Sequence, residues 1–136
     1  MKDRNLIIIR GVSGTGKSTF AKLIAQPSII CTADDFYYDE DGNYNFDADK
    51  LGEAHGACMK KFDESLYNDN ILNIVIANTN CKARDYKYYV DKAEKVGLNI
   101  TYIVMEKRHD NDNAHGTPDF VLERQESNLR NNLKLR

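Results

Sequence analysis

An α/β layered fold with a mainly parallel sheet of about four strands is what this 136-residue chain predicts. Three observations carry the prediction. Short apolar runs alternate with longer segments of helical periodicity, the pattern of strand–helix–strand units. The first apolar run ends at a glycine-rich turn that opens directly into a helix. Two of the helices stop at residues that stop helices, Pro27 and Gly97.

Taken in order, residues 6–9 read as a buried strand and residues 18–25 as the helix after the glycines, ended before Pro27. Residues 28–32 are short and β-branched, a second strand. Residues 37–46 hold Asp-Gly-Asn among acidic side chains, a loop or hairpin. Asp47 can cap a helix running to about Tyr67, with Leu51, Ala54, His55, Cys58 and Phe62 at the spacing of one inner face. Gly52 and Gly56 weaken that helix by about 1 kcal/mol each relative to alanine. Residues 71–77 form a third strand. Residues 82–96 form a helix with Tyr86, Tyr89, Val90, Ala93 and Val96 on one face, closed by Gly97. Residues 99–105 are a fourth strand and 107–116 a polar, irregular stretch. Pro118 opens a last helix to about Leu135, packed through Val121, Leu122, Leu129 and Leu133.

With no repeat, low-complexity tract or linker, the chain reads as one domain, 1–136, with a short lid at about 107–117. It is long enough to bury a core. Hydrophobic residues make up 41% and charged residues 29%, which argues against disorder. The longest apolar runs, residues 6–9 and 74–77, fall far short of a membrane span, so no membrane role is expected. The N-terminus lacks the pattern of a signal peptide. Cys31, Cys58 and Cys81 are odd in number without C-x-x-C spacing, which suggests small apolar residues in a reduced cytoplasmic setting and argues against zinc.

Net charge is −2, which excludes a nucleic-acid binder held by bulk charge. The charge is unevenly spread. Residues 1–22 carry five basic side chains and one acidic; residues 34–53 carry eight acidic ones and only Lys50.

In a parallel sheet, ligands sit at the carboxyl ends of the strands. The loops after Arg10, Thr32, Ala77 and Met105 converge there. The first, Gly11-Val12-Ser13-Gly14-Thr15-Gly16-Lys17-Ser18, fits G-x-x-x-x-G-K-[ST] in full, a nucleotide phosphate loop. Its glycines let successive N–H groups turn inward toward phosphate oxygens, and the helix N-terminus adds positive potential. Lys17 would bridge the β- and γ-phosphates of ATP, and the Ser18 hydroxyl would ligate Mg²⁺. Thr19 reads as a helix residue within reach of the α-phosphate. The second loop carries Asp34 and Asp35. A carboxylate there can take a proton from an attacking hydroxyl, hold Mg²⁺ through water, or cap a turn. The third carries Asn78, Thr79 and Asn80, able to hold a substrate hydroxyl or metal-bound water, or to cap the following helix.

GVSGTGKST, TADDF, VIANTN and AHGTP together resemble the polynucleotide-kinase-like P-loop kinases. DDFYYDEDGNYNFDADKLGEAH and NTNCKARDYKYYVDKA resemble the small ATP-binding proteins of that group, and the likeness covers nearly the whole chain. The resemblance implies a P-loop NTPase-type three-layer sandwich, ATP, Mg²⁺, and phosphoryl transfer to a hydroxyl with Asp34 as general base and metal ligand. It suggests a 5′-hydroxyl of a nucleic acid, nucleoside or related small acceptor, with Asp35, Tyr37, Asn78, Thr79 and Asn80 toward the acceptor, and Arg108 and Arg124 as lid arginines. The partners implied are a nucleotide and a small-molecule or short nucleic-acid acceptor. The chain departs from the group at Ala33 and Tyr37, where the kinases have arginines, and at Asn78, where they have an acid. The competing readings are an ATP-binding switch or ATPase, and an interaction protein on a kinase-like scaffold. The acceptor's identity, the preferred base and the oligomeric state leave no mark in the sequence.

Three smaller signals complete the reading. His55 reads as a packed core histidine, or else one that reaches the substrate. His115-Gly116 forms a turn, near the adenine or on the surface. Tyr86 and Tyr89 read as core, although with Tyr88, Lys82, Arg84 and Lys87 they could stack bases.

Overall fold

The computed structural model describes residues 3–24, 28–107 and 116–133. Strands β1 (Asn5–Arg10), β2 (Ser28–Cys31), β3 (Asn73–Ile76) and β4 (Asn99–Val104) form one sheet in the order β2-β3-β1-β4. Every pairing is parallel. Helices α1 (Lys17–Ile24), α2 (Leu51–Leu66) and α3 (Ala83–Val96) supply the crossovers, and α4 (Asp119–Asn132) follows β4.

The alternation of side chains along β1 builds the layers. Leu6 and Ile8 join Cys58, Phe62, Leu66, Tyr89, Val90 and Ala93, so α2 and α3 cover one face. Ile9 joins Ala21 and Val75, with Ile7, Phe20 and Ile24 packed around them, so α1 covers the other. This is the three-layer arrangement the sequence predicts. The two central strands, β1 and β3, are covered on both faces and read as continuous apolar runs for that reason.

The helix ends follow the sequence closely. Gly97 takes φ +90° and its N–H donates to the Ala93 and Glu94 carbonyls, closing α3. Asp47 caps a short 3-10 turn, Ala48–Lys50, that runs into α2; its carboxylate accepts from the Asp49 N–H. The Arg4 guanidinium binds the carbonyls of Ser65, Leu66, Asn68 and Ile71 at 2.9–3.1 Å, satisfying the exposed carbonyl end of α2.

Some positions differ from the periodicity. Leu51 and Val96 lie on predicted inner faces but are exposed. His55 is exposed as well, not packed in the core; it lines the cleft at the start of α2. Tyr89 is buried as expected, while Tyr86 is half-buried beneath the Arg10 guanidinium, 4.9 Å from its ring centroid. β3 begins at Asn73 and β4 ends at Val104, inside the predicted bounds. Most of the predicted lid, the turn at His115 and the last residues toward Leu135 lie outside the described residues. No helix among the described residues is long and apolar enough to cross a membrane.

Candidate functional site

Three loops leave the carboxyl edge of the sheet and are stitched together by hydrogen bonds from main-chain N–H groups. The Gly11 N–H donates to the Thr79 carbonyl at 2.9 Å, joining the loop after β1 to the loop after β3. The Ala33 N–H donates to Asn78 Oδ1 at 2.8 Å, joining the loop after β2 to the same segment. Asn80 is buried, adopts φ +49°, and donates from Nδ2 to the Ile9 carbonyl at 2.8 Å. Left-handed backbone suits asparagine better than most residues. The Asn80 side chain braces β1 from within, and the Lys82 N–H at the start of α3 is held by the Asp85 carboxylate.

The loop after β1 curls through Gly14 and Gly16, both at positive φ, in a backbone path that a side chain would strain. Gly11 is required for a different reason. A Cβ there would stand 2.8 Å from the Met105 carbonyl oxygen. The curl leads straight into α1 at Lys17. Lys17 is buried, and its Nζ donates to the Val12 carbonyl at 2.8 Å, inside its own loop. Burial lowers its pKa to about 8, against the opposing pull of the Asp34 carboxylate.

Asp34 sits in a 3-10 turn, Ala33–Tyr37. The turn forms because the Thr32 hydroxyl accepts from the Asp34 N–H at 3.2 Å, so Thr32 is the cap and the Asp34 carboxylate is left for other contacts. The Tyr44 hydroxyl donates to Asp34 Oδ1 at 3.1 Å. Tyr44 reaches that point because the chain after the turn doubles back, with one antiparallel bridge between Tyr38 and Tyr44. The predicted hairpin therefore exists in minimal form, and Asp39 holds its tip by accepting from the Asp41 and Asn43 N–H groups. Burial and the nearby Asp34 carboxylate raise the pKa values of Tyr44 and Tyr37, so both stay protonated. Tyr37 is almost fully buried, and its hydroxyl has no hydrogen-bond partner among the described residues.

These groups line one cleft of about 730 Å³, within the usual range for ligand sites. Ser13, Gly14, Gly16, Lys17, Ser18 and Thr19 form one wall. Asp34, Tyr37, Asn78 and Thr79 form another, and Arg124 lies on the rim from α4. Gly11, Val12 and Thr15 are buried in the loop's underside. Asp35 is exposed and faces Lys61 Nζ at 3.6 Å instead of lining the cleft. Arg108 lies outside the described residues. Among the described residues no group of three or more His, Cys, Asp or Glu forms a ready metal cluster. The three cysteines are free and buried, and burial raises each thiol pKa, that of Cys31 to about 12.

Several cleft residues carry no motif. Tyr44 and Phe46 are two apart in an extended segment, a spacing that puts both on one side. His55 and Leu51 line the cleft from the start of α2. Gln125, Leu129 and Asn132 share a face of α4. Gln125 Oε1 accepts from the Ser13 N–H at 3.0 Å, and Asn132 Oδ1 accepts from Arg10 Nη2 at 2.7 Å. That periodicity is visible in the sequence, but its polar members look like a solvated face until β1 is placed beside them.

Comparison with known proteins adds a fold. No family model matches the chain. Human NEDD4-binding protein 2 is 38% identical over 93 residues, 66% of this chain and 5% of that protein. The LPS-assembly protein LptD of Aeromonas salmonicida is 34% identical over 68 residues, 50% of this chain and 8% of that protein. The chain spans less than a tenth of either relative. Among solved structures, a Pnkp1/Rnl/Hen1 complex aligns over 88% of this chain and 45% of its own at TM-score 0.58 and 20% identity. A gluconokinase from Sinorhizobium meliloti aligns over 95% of this chain and 77% of its own at 0.53 and 16%. The Mycobacterium tuberculosis APS kinase CysC, solved with AMPPNP and APS, aligns over 93% of this chain and 70% of its own at 0.52 and 15%. The likeness at these identities is one of architecture: the chain has the α/β fold of the P-loop kinases.

Proposed function

We propose that residues 1–136 form one P-loop kinase-like domain, with a lid at about 107–117, that transfers the γ-phosphoryl group of ATP to a hydroxyl with Mg²⁺. The observation that supports this most is the placing of Lys17 and Asp34 on one cleft, close enough for their charges to interact. A phosphate-binding loop faces a carboxylate there, as phosphoryl transfer from a nucleotide to a hydroxyl requires.

The residues present fit both groups. The loop has glycines at the positive-φ positions of an inward curl, a helix N-terminus behind it and a buried lysine inside it. The Ser18 hydroxyl and the Asp34 carboxylate are hard oxygen donors suited to Mg²⁺. When bound, the metal neutralises charge on the phosphates. The loop N–H groups would hold phosphate oxygens, and Lys17 would leave the Val12 carbonyl for them. The Asp34 carboxylate would accept the acceptor hydroxyl's proton as its oxygen bonds to the γ-phosphorus. Asn78 and Thr79 would orient that hydroxyl from the same wall as Asp34. Arg124, and Arg108 from the lid, would stabilise charge on the transferring group. Three free buried thiols fit a reducing compartment, the cytoplasm.

A screen of labelled γ-phosphate transfer from Mg-ATP to oligonucleotides, mononucleosides and small alcohols tests the proposal. Transfer to an organic hydroxyl that is lost in Asp34→Asn supports it. Release of inorganic phosphate alone, with every hydroxyl left unmodified, would replace it with an ATPase or switch.

A further inference from the structure

The wall of the cleft around Asp34 is aromatic and apolar. Tyr37 packs 5.0 Å from Phe46 and 5.8 Å from Tyr44, centroid to centroid, and Leu51 and His55 continue the surface from α2. Phe46 is 57% exposed and Leu51 45% exposed, although both line a concave site beside the carboxylate. Large apolar side chains left open within a cleft favour a ligand with an apolar face. A flat ring can stack on such a wall.

Charge narrows the ligand further. Among the described residues Lys17 and Arg124 are the lysine and arginine side chains that line the cleft: Lys17 lies in the phosphate loop, and Arg124 comes from α4, the helix whose Gln125 binds the Ser13 N–H of that loop. At the other end the lining groups that can carry charge are Asp34 and His55. Beyond them the chain adds Asp39, Glu40, Asp41, Asp47, Asp49 and Glu53 against Lys50. Lys61, the next basic side chain on α2 after Lys60, is engaged by the Ile30 carbonyl and Asp35. Among the described residues, a phosphate on the acceptor would meet Asp34 and the acidic segment around it without a lysine or arginine lining that end.

We infer that the acceptor is a phosphate-free alcohol carrying a flat heteroaromatic ring, of the nucleoside class, stacked on the Tyr37–Tyr44–Phe46 wall with its hydroxyl at Asp34. This rests on the kinase reading above. The hydroxyl oxygen forms a bond to the γ-phosphorus of ATP, the bond from that phosphorus to the bridging oxygen breaks, ADP leaves with the electron pair, and the proton passes to Asp34. Tyr44 serves twice. Its ring forms part of the wall, and its hydroxyl holds Asp34 Oδ1, which makes it a positioning residue for the base.

The test uses the full chain, Mg-ATP labelled at the γ-phosphate, and four probe sets: mononucleosides, the matched nucleoside 3′-monophosphates, ribose and glycerol. The best mononucleoside should exceed its 3′-monophosphate and both ring-free alcohols in kcat/KM by about tenfold or more. Phe46→Ala should raise KM for that nucleoside by roughly tenfold, with kcat and ATP affinity within about twofold. Tyr44→Phe should lower kcat several-fold and leave KM in place. Unchanged ATP affinity in each variant shows that the fold is intact. Preference for the 3′-monophosphate, or equal transfer to glycerol, overturns the acceptor class while leaving a kinase. ATP binding with no transfer to any probe, and only phosphate release, overturns the kinase reading itself.

Discussion

The two ends of the cleft are built by different means. At the phosphate-loop end the positioning bonds join neighbouring strands, each with main chain on at least one side: Gly11 N–H on the Thr79 carbonyl, Ala33 N–H on Asn78 Oδ1, Asn80 Nδ2 on the Ile9 carbonyl, and Met105 N–H on the Arg10 carbonyl at 2.7 Å. Most of these groups are buried or half-buried, and each bond spans strands that are neighbours in the sheet. At the Asp34 end the links are local, within residues 34–46: one bridge, the Asn45 N–H on the Tyr37 carbonyl, three aromatic pairs on Tyr37 and the Tyr44–Asp34 bond. The difference teaches where variation is tolerable. Changes at the first end act on the loops together, because the bonds are shared. Changes at the second end alter what the cleft accepts without moving the loop proposed to hold nucleotide.

The largest expected effect separates the two ends. Asp34→Asn keeps the turn, since the Thr32 hydroxyl binds the Asp34 main-chain N–H and not its carboxylate. Transfer should fall by about 10²–10⁴, the usual contribution of a general base, with ATP affinity within a few fold. Asp35→Asn should be milder, because Asp35 faces Lys61 outside the cleft. Single-turnover rates with calorimetry for ATP check both, and Asp35→Asn being the worse variant would shift the base by one residue. Next in size is Lys17→Ala. A charge-assisted contact to phosphate contributes roughly 1.5–3 kcal/mol, so ATP affinity should fall by about an order of magnitude or more. Equal affinity in wild type and variant would contradict the phosphate-loop assignment.

A pH effect should appear at the first end alone. Burial lowers the Lys17 pKa to about 8 in the free protein, and phosphates beside it would raise that value. Above pH 8 the free protein has therefore lost a proton that the complex keeps, so ATP binding takes up a proton. Affinity should fall as pH rises from 8, by up to about tenfold per unit until the bound pKa is reached. Below pH 7 Lys17 is charged in both states and contributes no slope. Folding gives the opposite sign: between about 8 and the ordinary lysine value of 10.5 the unfolded chain binds more protons, so this group's contribution makes stability rise with pH. Calorimetry in buffers of different ionisation enthalpy at pH 6.5 and 9 reads the proton uptake, and Lys17→Arg should abolish it.

The legible part of the molecule is the part fixed by local chemistry. Gly97 ends α3, Asp47 starts the turn into α2 and the apolar run at β1 is central, because caps and burial patterns act within a few residues. The phosphate-loop glycines belong to the same class. The rest depended on tertiary placement. His55 falls at core spacing on α2, but spacing says nothing about whether that position meets the sheet or the cleft. Asn80 carries the same side chain as Asn78, yet one braces β1 from inside and the other holds the Ala33 N–H at the cleft. Tyr44 and Gln125 act on Asp34 and Ser13 from ten and 112 residues away in sequence, and their partners become visible only once the chain is folded.

The smallest expected effect is a near-absence of salt dependence, and it bears on the second end of the cleft. Eight carboxylates in residues 34–53 face one lysine, and the cleft's lysine and arginine side chains lie toward ATP. A single strand laid across this surface could have few phosphates neutralised, and the number neutralised sets the slope of log affinity against log salt. The slope for a single-stranded oligonucleotide should therefore be about −1 to −2, where a protein with six to ten phosphate contacts gives several times more. Transfer to a short acceptor should equal or exceed transfer to a long one at both 50 mM and about 200 mM salt, the range over which polyanion binding weakens most visibly. Measuring kcat/KM for a mononucleoside, a short oligonucleotide and a long one at those two concentrations separates the cases. A steep slope with long strands preferred would mean that the acidic segment turns away from the acceptor path and that basic side chains remote in sequence form a track beside it. The two ends would then share one electrostatic design, and the contrast between them would fail.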